Sequence, residues 1–224
     1  MTTLFKQAGA ALVILAACAA AQAQVAGTIS VRAGATRIMP DVDSGNLSAP
    51  SFPNTKIDVD SANQFTGGIN YMVTDNIALD LPLGLPFKHN FYGDGAIAGV
   101  GKLGQVKVIP ATLFVQYYFR DAKSAFRPYV GVGVTYAKFF KNRTTATLSA
   151  LTGGTPDNPT TAKMDNKFGI TPQIGFTYNI NERWYVDASY YKSFLKSKAH
   201  LSTGQSISVK LNPDVVSFGI GYRF

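Results

Sequence analysis

The sequence predicts an all-β protein, an eight-stranded antiparallel up-and-down barrel that crosses a membrane. Three observations predict it. The chain closes on VVSFGIGYRF (215–224), where Val216, Phe218, Ile220, Tyr222 and Phe224 alternate with Ser217, Gly219, Gly221 and Arg223, making one strand face apolar and the other small or polar. Segments of the same period recur along the chain, and the connections between them alternate long and short. Charged residues are only 15% of the chain, against roughly 25% in typical soluble domains, while 15 Phe and 11 Tyr are available for girdles at the membrane interfaces. A soluble barrel of lipocalin type would turn its apolar faces inward. Here the last residue is a bare aromatic and the opposite face carries Gly and Arg, so the apolar side belongs to lipid. The sheet must then close, because an open edge in hydrocarbon leaves backbone groups unpaired at several kcal/mol each.

Residues 1–23 read as a signal peptide: Lys6, an apolar run from Ala8 to Ala21, and Ala21-Gln22-Ala23 as a small-x-small cleavage site. The run is too short to span a bilayer as a helix. Residues 24–224 form the barrel domain. Cys18 is the only cysteine, so the mature chain can hold no disulfide. Leu15-Ala16-Ala17-Cys18 resembles a lipobox, in competition with the site at Ala23. Loss of Lys6 with the leader takes the formal charge from +8 to +7.

Strand one carries Ile29, Val31, Ala33 and Ala35 against Ser30, Arg32, Gly34 and Thr36. Residues 38–62, polar and bearing Asp41, Asp43, Asp58 and Asp60, read as a long outer loop. Strand two (64–73) turns through Thr74-Asp75-Asn76 into strand three (77–86), with Ile77, Leu79, Leu81, Leu83 and Leu85 on its apolar face. A Gly-rich stretch, 92–104, is expected to loop over to strand four (105–119), and residues 120–126 turn into strand five (127–140). A second long polar segment, 141–165, precedes strand six (167–179). Strand seven is marked by Trp184, Val186, Ala188 and Tyr190, and a loop around 195–206 leads to the closing strand.

YMVTDNIALDL (71–81), PFKHNF (86–91), PATLFVQYYF (110–119), RPYVGVGVTYAKFF (127–140) and GIGYRF (219–224) together resemble the OmpW family of small outer-membrane proteins, in that family's order and over most of the mature chain. The resemblance implies an eight-stranded barrel of the Gram-negative outer membrane, with a narrow, largely apolar channel for small hydrophobic molecules. Alkane-uptake proteins belong to the same family. The long segments 38–62 and 141–165 depart from it, so the substrate and any receptor role do not carry over. A lipid A-modifying enzyme and a structural or receptor barrel are the alternatives.

Three motifs are weaker than they look. Gly99-Val100-Gly101-Lys102-Leu103-Gly104 spells G-x-G-x-x-G, yet a strand follows it where a dinucleotide site needs a helix, so a mobile Gly loop is the better account and no cofactor is expected. His200-Leu201-Ser202 resembles the His-x-Ser of barrel lipid A deacylases, but the only glutamate is Glu182 and the remaining orienting carboxylate would be Asp214. Lys192, Lys196 and Lys198 make that segment read as a basic loop, and no catalytic residues are assigned. With His89 and His200 the only histidines, no metal site is expected.

Basic residues gather at the outer ends of the strands. A leader and a barrel remove nucleic acid as a partner, so Lys141, Arg143, Lys196 and Lys198 are expected to meet phosphate groups of lipopolysaccharide. Phe224 at the terminus is expected to be read by the barrel-assembly machinery. By alternation Arg32, Asp80, Gln116, Asp187 and Arg223 face inward near the periplasmic end, and in so narrow a barrel they should pair into a closed polar floor. Phe139 and Tyr191 are expected in a more apolar chamber above it. A hydrophobic solute stopped by that floor should leave through the wall, where proline removes ladder donors. Pro82, Pro86 and Pro110 are the expected opening, with Leu83, Leu85 and Phe87 as its apolar lips.

Overall fold

The computed structural model describes residues 24–224; the expected signal peptide and Cys18 lie outside the described residues. In chain order the strands are β1 (Ile29–Met39), β2 (Asp43–Ser44), β3 (Thr55–Val59), β4 (Ala62–Met72), β5 (Ile77–Gly84), β6 (Phe87–Gly95), β7 (Lys102–Tyr118) and β8 (Phe126–Thr144). After the short helix α1 (Ala146–Thr152) come β9 (Ala162–Met164), β10 (Lys167–Asn179), β11 (Trp184–Lys192), β12 (Lys196–Leu201), β13 (Ser206–Lys210) and β14 (Asp214–Arg223). Eight of these are staves of a closed antiparallel ring, in the order β1, β4, β5, β7, β8, β10, β11, β14 and back to β1. No helix among the described residues is long and apolar enough to cross a membrane; the strands cross it.

Alternation decides which way each side chain points. Outward positions such as Val115, Val132, Ile174, Phe218 and Ile220 are exposed, while their neighbours Gln116, Gly133, Gln173 and Gly221 are buried. Aromatic pairs ring the periplasmic end: Tyr117 with Phe119, Phe126 with Phe176, and Trp184 with Tyr222, at centroid separations of 5.0–5.3 Å. At the other end Lys88, Lys107 and Lys138 stand on neighbouring strands β6, β7 and β8. Between aromatics below and lysines above lies the lipid-facing band.

The closing seam, β1 against β14, runs from Ser30↔Arg223 to Met39↔Asp214 without a slip. Gly34 faces Gly219 there, and the backbones approach so closely that a Cβ on Gly34 would stand 2.0 Å from the Phe218 carbonyl oxygen. Backbone cannot rotate away as a side chain can. Gly34→Ala should therefore cost roughly 1–3 kcal/mol and lower the fraction of compact, fast-migrating barrel on unheated gels. A variant that migrates as wild type would show that the seam can spread without penalty.

The outer half departs from the sequence-based expectations, mainly because loops turn out to be strands. Segment 38–62 contains β2 and β3, and β3 pairs with β6 from Thr55↔Gly95 to Val59↔Phe91. The Gly-rich stretch is not a loop over 92–104: only residues 96–101 turn, between the end of β6 and the start of β7. Gly99 and Gly101 hold φ of +86° and +83° in that turn, whereas Gly104 lies in β7 with the Arg143 carbonyl 2.5 Å from where a Cβ would sit. Turn and close packing account for the glycines. Segment 141–165 contains the end of β8, α1 and β9, and the loop expected at 195–206 is the hairpin β12–β13. A small sheet of β2, β13, β12 and β9 caps this end of the barrel.

Strand three also differs. It ends at Gly84, and β6 resumes at Phe87 in the opposite phase. Asp80 pairs with Phe114, whereas Phe87 pairs with Val108, so one extra residue is inserted on this side between the two pairs. Phe87, expected as an outward lip, instead points inward and is buried against Ile38, Val108 and Ala137.

Candidate functional site

The interior is built in two storeys. On the floor, the Arg32 guanidinium grips Asp80 at both ends, Nη1 to Oδ1 at 2.5 Å and Nη2 to Oδ2 at 2.8 Å, and its Nε lies 3.9 Å from Asp187. Tyr129 donates its hydroxyl to Asp187 at 3.0 Å. Asn70 donates to Gln116 at 2.9 Å, and Gln116 donates to Gln173 at the same distance. Arg223 stands apart from this group: it donates to Asn179 at 2.6 Å and stacks on Tyr185. The structure thus joins Arg32, Asp80, Asp187 and Gln116 in one network and sets Arg223 among other partners. Asn70, Tyr118, Tyr129 and Gln173 share the floor, while Tyr185 stands with Arg223 and donates to Ser30; inward phase was the available signal for all five.

Arg127 ties this end together. It is wholly buried, and donates to the carbonyls of Gln24, Asp75 and Arg120 while its guanidinium lies over Tyr118. One side chain thereby holds the start of the described chain to two periplasmic turns.

Above the floor a belt of hydroxyls lines the wall. Thr112, Thr135, Thr171 and Ser193 are linked in a chain at 2.7–3.0 Å, and Thr66, Thr36 and Ser217 form a second chain across the barrel. Bonded to one another, these hydroxyls keep their polarity off the lumen and can present threonine methyls to it.

The upper storey is an apolar cavity of about 290 Å³. Arg32 bounds it below, Phe87, Val108, Phe139 and Tyr191 line it at mid-height, and Ile97, Leu103 and Leu148 stand at its outer end. The Tyr191 ring meets Phe114 edge-on at 5.4 Å. Phe139 and Tyr191 thus lie where alternation puts them.

One side of this chamber has an incomplete wall. The β5–β7 ladder stops at Asp80↔Phe114, and pairing with β7 resumes only at Phe87↔Val108. Between them Leu81–Pro86 stand opposite Ile109–Leu113 with no ladder, a slit roughly 20 Å along the strands. Pro82, Pro86 and Pro110 all lie in it. By the lower register Pro82 would face Thr112, two residues from Pro110, so these two prolines are near one level and Pro86 lies above them. Each rim is held from behind: β5 pairs with β4 up to Thr66↔Gly84, and β7 pairs with β8 along the whole slit. Leu81, Leu83, Leu85 and Ile109 are exposed to the outside, yet they also line the inner cavity. The same residues therefore border both the cavity and the outer surface.

The remaining candidates separate. Ser202 Oγ accepts from the Thr161 amide at 2.9 Å, and His200 faces Asp165 at 3.8 Å. Asp214 is bonded to Tyr190 and Lys192 on the rim. The three are not brought together as a triad. Among the described residues no cluster of three or more metal-ligating side chains occurs.

A closed ring of eight alternating strands, apolar outside, girdled by aromatics and enclosing a chamber, is an outer-membrane β-barrel of the Gram-negative type. Residues 25–224 match the OmpW family, and the chain belongs to that family. It is 34% identical to outer membrane protein W of Vibrio cholerae, over 98% of this chain and all of that one. It is 27% identical to outer membrane protein AlkL of Ectopseudomonas oleovorans, over 80% of this chain and 74% of that one. Among solved structures it resembles OprG of Pseudomonas aeruginosa, with a TM-score of 0.81 at 29% identity, covering 91% of this chain and 99% of OprG.

Proposed function

We propose that this protein admits small hydrophobic molecules passively from outside the cell. They enter the apolar chamber, are stopped by the polar floor, and pass sideways between β5 and β7 into the bilayer. The observation that carries the reading is the slit: the same leucines line the inner cavity and face the lipid. A solute moving from one to the other never crosses a charged layer. The resemblance to a family that includes alkane-uptake proteins points the same way.

Two contacts accompany this role in the proposal. Lys141, Arg143, Lys196 and Lys198 are exposed and in no ion pair among the described residues, whereas Lys192 and Lys210 are bound to Asp214 and Asp43. The unpaired four are suited to lipopolysaccharide phosphate. Phe224, exposed beside Tyr222, is suited to recognition by the assembly machinery.

Uptake by whole cells tests the main reading, because the lipopolysaccharide leaflet is the barrier that the protein would relieve. Cells carrying the gene should accumulate a radiolabelled medium-chain hydrocarbon several-fold faster than deletion cells, and a plasmid copy should restore the rate. Equal rates in the two strains would remove the uptake reading and leave a structural or receptor barrel.

A further inference from the structure

The apolar chamber carries one imidazole. His89 on β6 is 4% exposed and lines the cavity. Its Nδ1 lies 2.7 Å from the backbone carbonyl oxygen of Asp60. A carbonyl has no hydrogen to offer, so this is a hydrogen bond only when Nδ1 carries the proton and donates it. The neutral ring then has its lone pair on Nε2. No other hydrogen bond to His89 occurs among the described residues, and Nε2 is left without a protein partner.

The tautomer is set by its neighbours. Asp60 Oδ1 accepts from the Asn90 amide at 2.6 Å and Oδ2 from the Asn90 side chain at 2.7 Å, so the carboxylate is committed and its residue fixed beside the ring. β6 lies above the lipid-facing band, with Lys88 at its outer surface. Burial pushes the imidazole below its usual range, against a smaller opposing pull from Asp60. At neutral pH the ring is therefore uncharged.

We propose that His89 Nε2 forms a hydrogen-bond acceptor station that selects uncharged amphipathic solutes carrying one O–H or N–H donor, such as alcohols and phenols. A hydrocarbon leaves that lone pair unmet, and a carboxylate sets its own lone pairs against it. This inference deepens the uptake reading and rests on it.

The test compares 1-hexanol with its methyl ether, which keeps the oxygen and loses the donor. In wild-type cells the protein-dependent uptake of the alcohol, relative to the ether, should exceed unity by about threefold to tenfold. In His89→Phe cells that ratio should fall close to one. A ratio unchanged by His89→Phe overturns the station. Because the variant could fold poorly, the second measurement uses the wild-type chain in lipid nanodiscs with ¹⁵N-labelled histidine, His200→Gln serving to assign the signals. At pH 7 the His89 Nε2 resonance should be of the unprotonated type and move on adding hexanol but not the ether. A protonated Nε2, or one that ignores the alcohol, also overturns it. If cells take up neither solute faster than deletion cells while Nε2 still responds to hexanol, the uptake reading fails and the station survives as a binding site.

Discussion

Replacing Asp80 by alanine should lower the unfolding free energy of the barrel by about 3–5 kcal/mol. Asp80 is fully buried and supplies both acceptors for the Arg32 fork. Without it a guanidinium that cannot shed its proton stays in the lumen, with Asp187 only at 3.9 Å and already accepting from Tyr129. The charge, rather than the lost contact, is what costs. Replacing the pair together, Arg32→Met with Asp80→Leu, should recover part of the loss: the unpaired cation is gone, but buried Asp187 keeps only the Tyr129 hydroxyl. Denaturant unfolding in lipid vesicles at pH 7 measures all three chains. A single Asp80→Ala variant within about 0.5 kcal/mol of wild type would show that the floor does not depend on this pair.

The second large effect concerns the slit. Pro82 and Pro110 bring no N–H to it, while β5 is held to β4 up to Gly84 and β7 to β8 along the whole slit. Changing Pro82 and Pro110 to alanine returns two donors to facing strands. At about 1 kcal/mol net per hydrogen bond, two new bonds favour a zipped wall by more than tenfold. Hydrophobic uptake should drop by about that factor, while the heat-dependent gel shift of the folded barrel persists. A double variant that folds and transports at the wild-type rate would falsify exit between β5 and β7.

The barrel itself was legible because its staves obey one rule: Val130 to Tyr136 or Phe168 to Tyr178 need only a period of two and a choice of which face meets lipid. Short turns such as Thr74-Asp75-Asn76 were legible from their own chemistry. The outer half was not, because β2, β3 and β9 pair with β13, β6 and β12, partners distant in sequence, and the strands of the small sheet are too short for a period to stand out; Phe87 and Phe91 were hidden by the slip at Leu85-Pro86. Inward phase was enough to list Arg32, Asp80, Gln116 and Asp187, but it gives no depth within a layer, which is why Arg223 was grouped with them although Asn179 and Tyr185 are its partners. The acceptor on His89 was invisible, since it depends on a carbonyl 29 residues away.

β5 and β6 behave like one message read in two frames. Up to Gly84 the even-numbered residues belong to the lumen; from Phe87 onward the odd-numbered ones do. The joint at Leu85-Pro86 is therefore measured in parity rather than in chemistry. Removing one residue there would erase the extra residue and let the alternation run unbroken from Asp80 to Phe87, turning the joint into ordinary strand. Removing both would turn Phe87, His89 and Phe91 out toward the surroundings and bring Lys88 and Asn90 into the apolar chamber, inverting the upper wall without altering any of its residues. Length at this joint is thus constrained more tightly than identity.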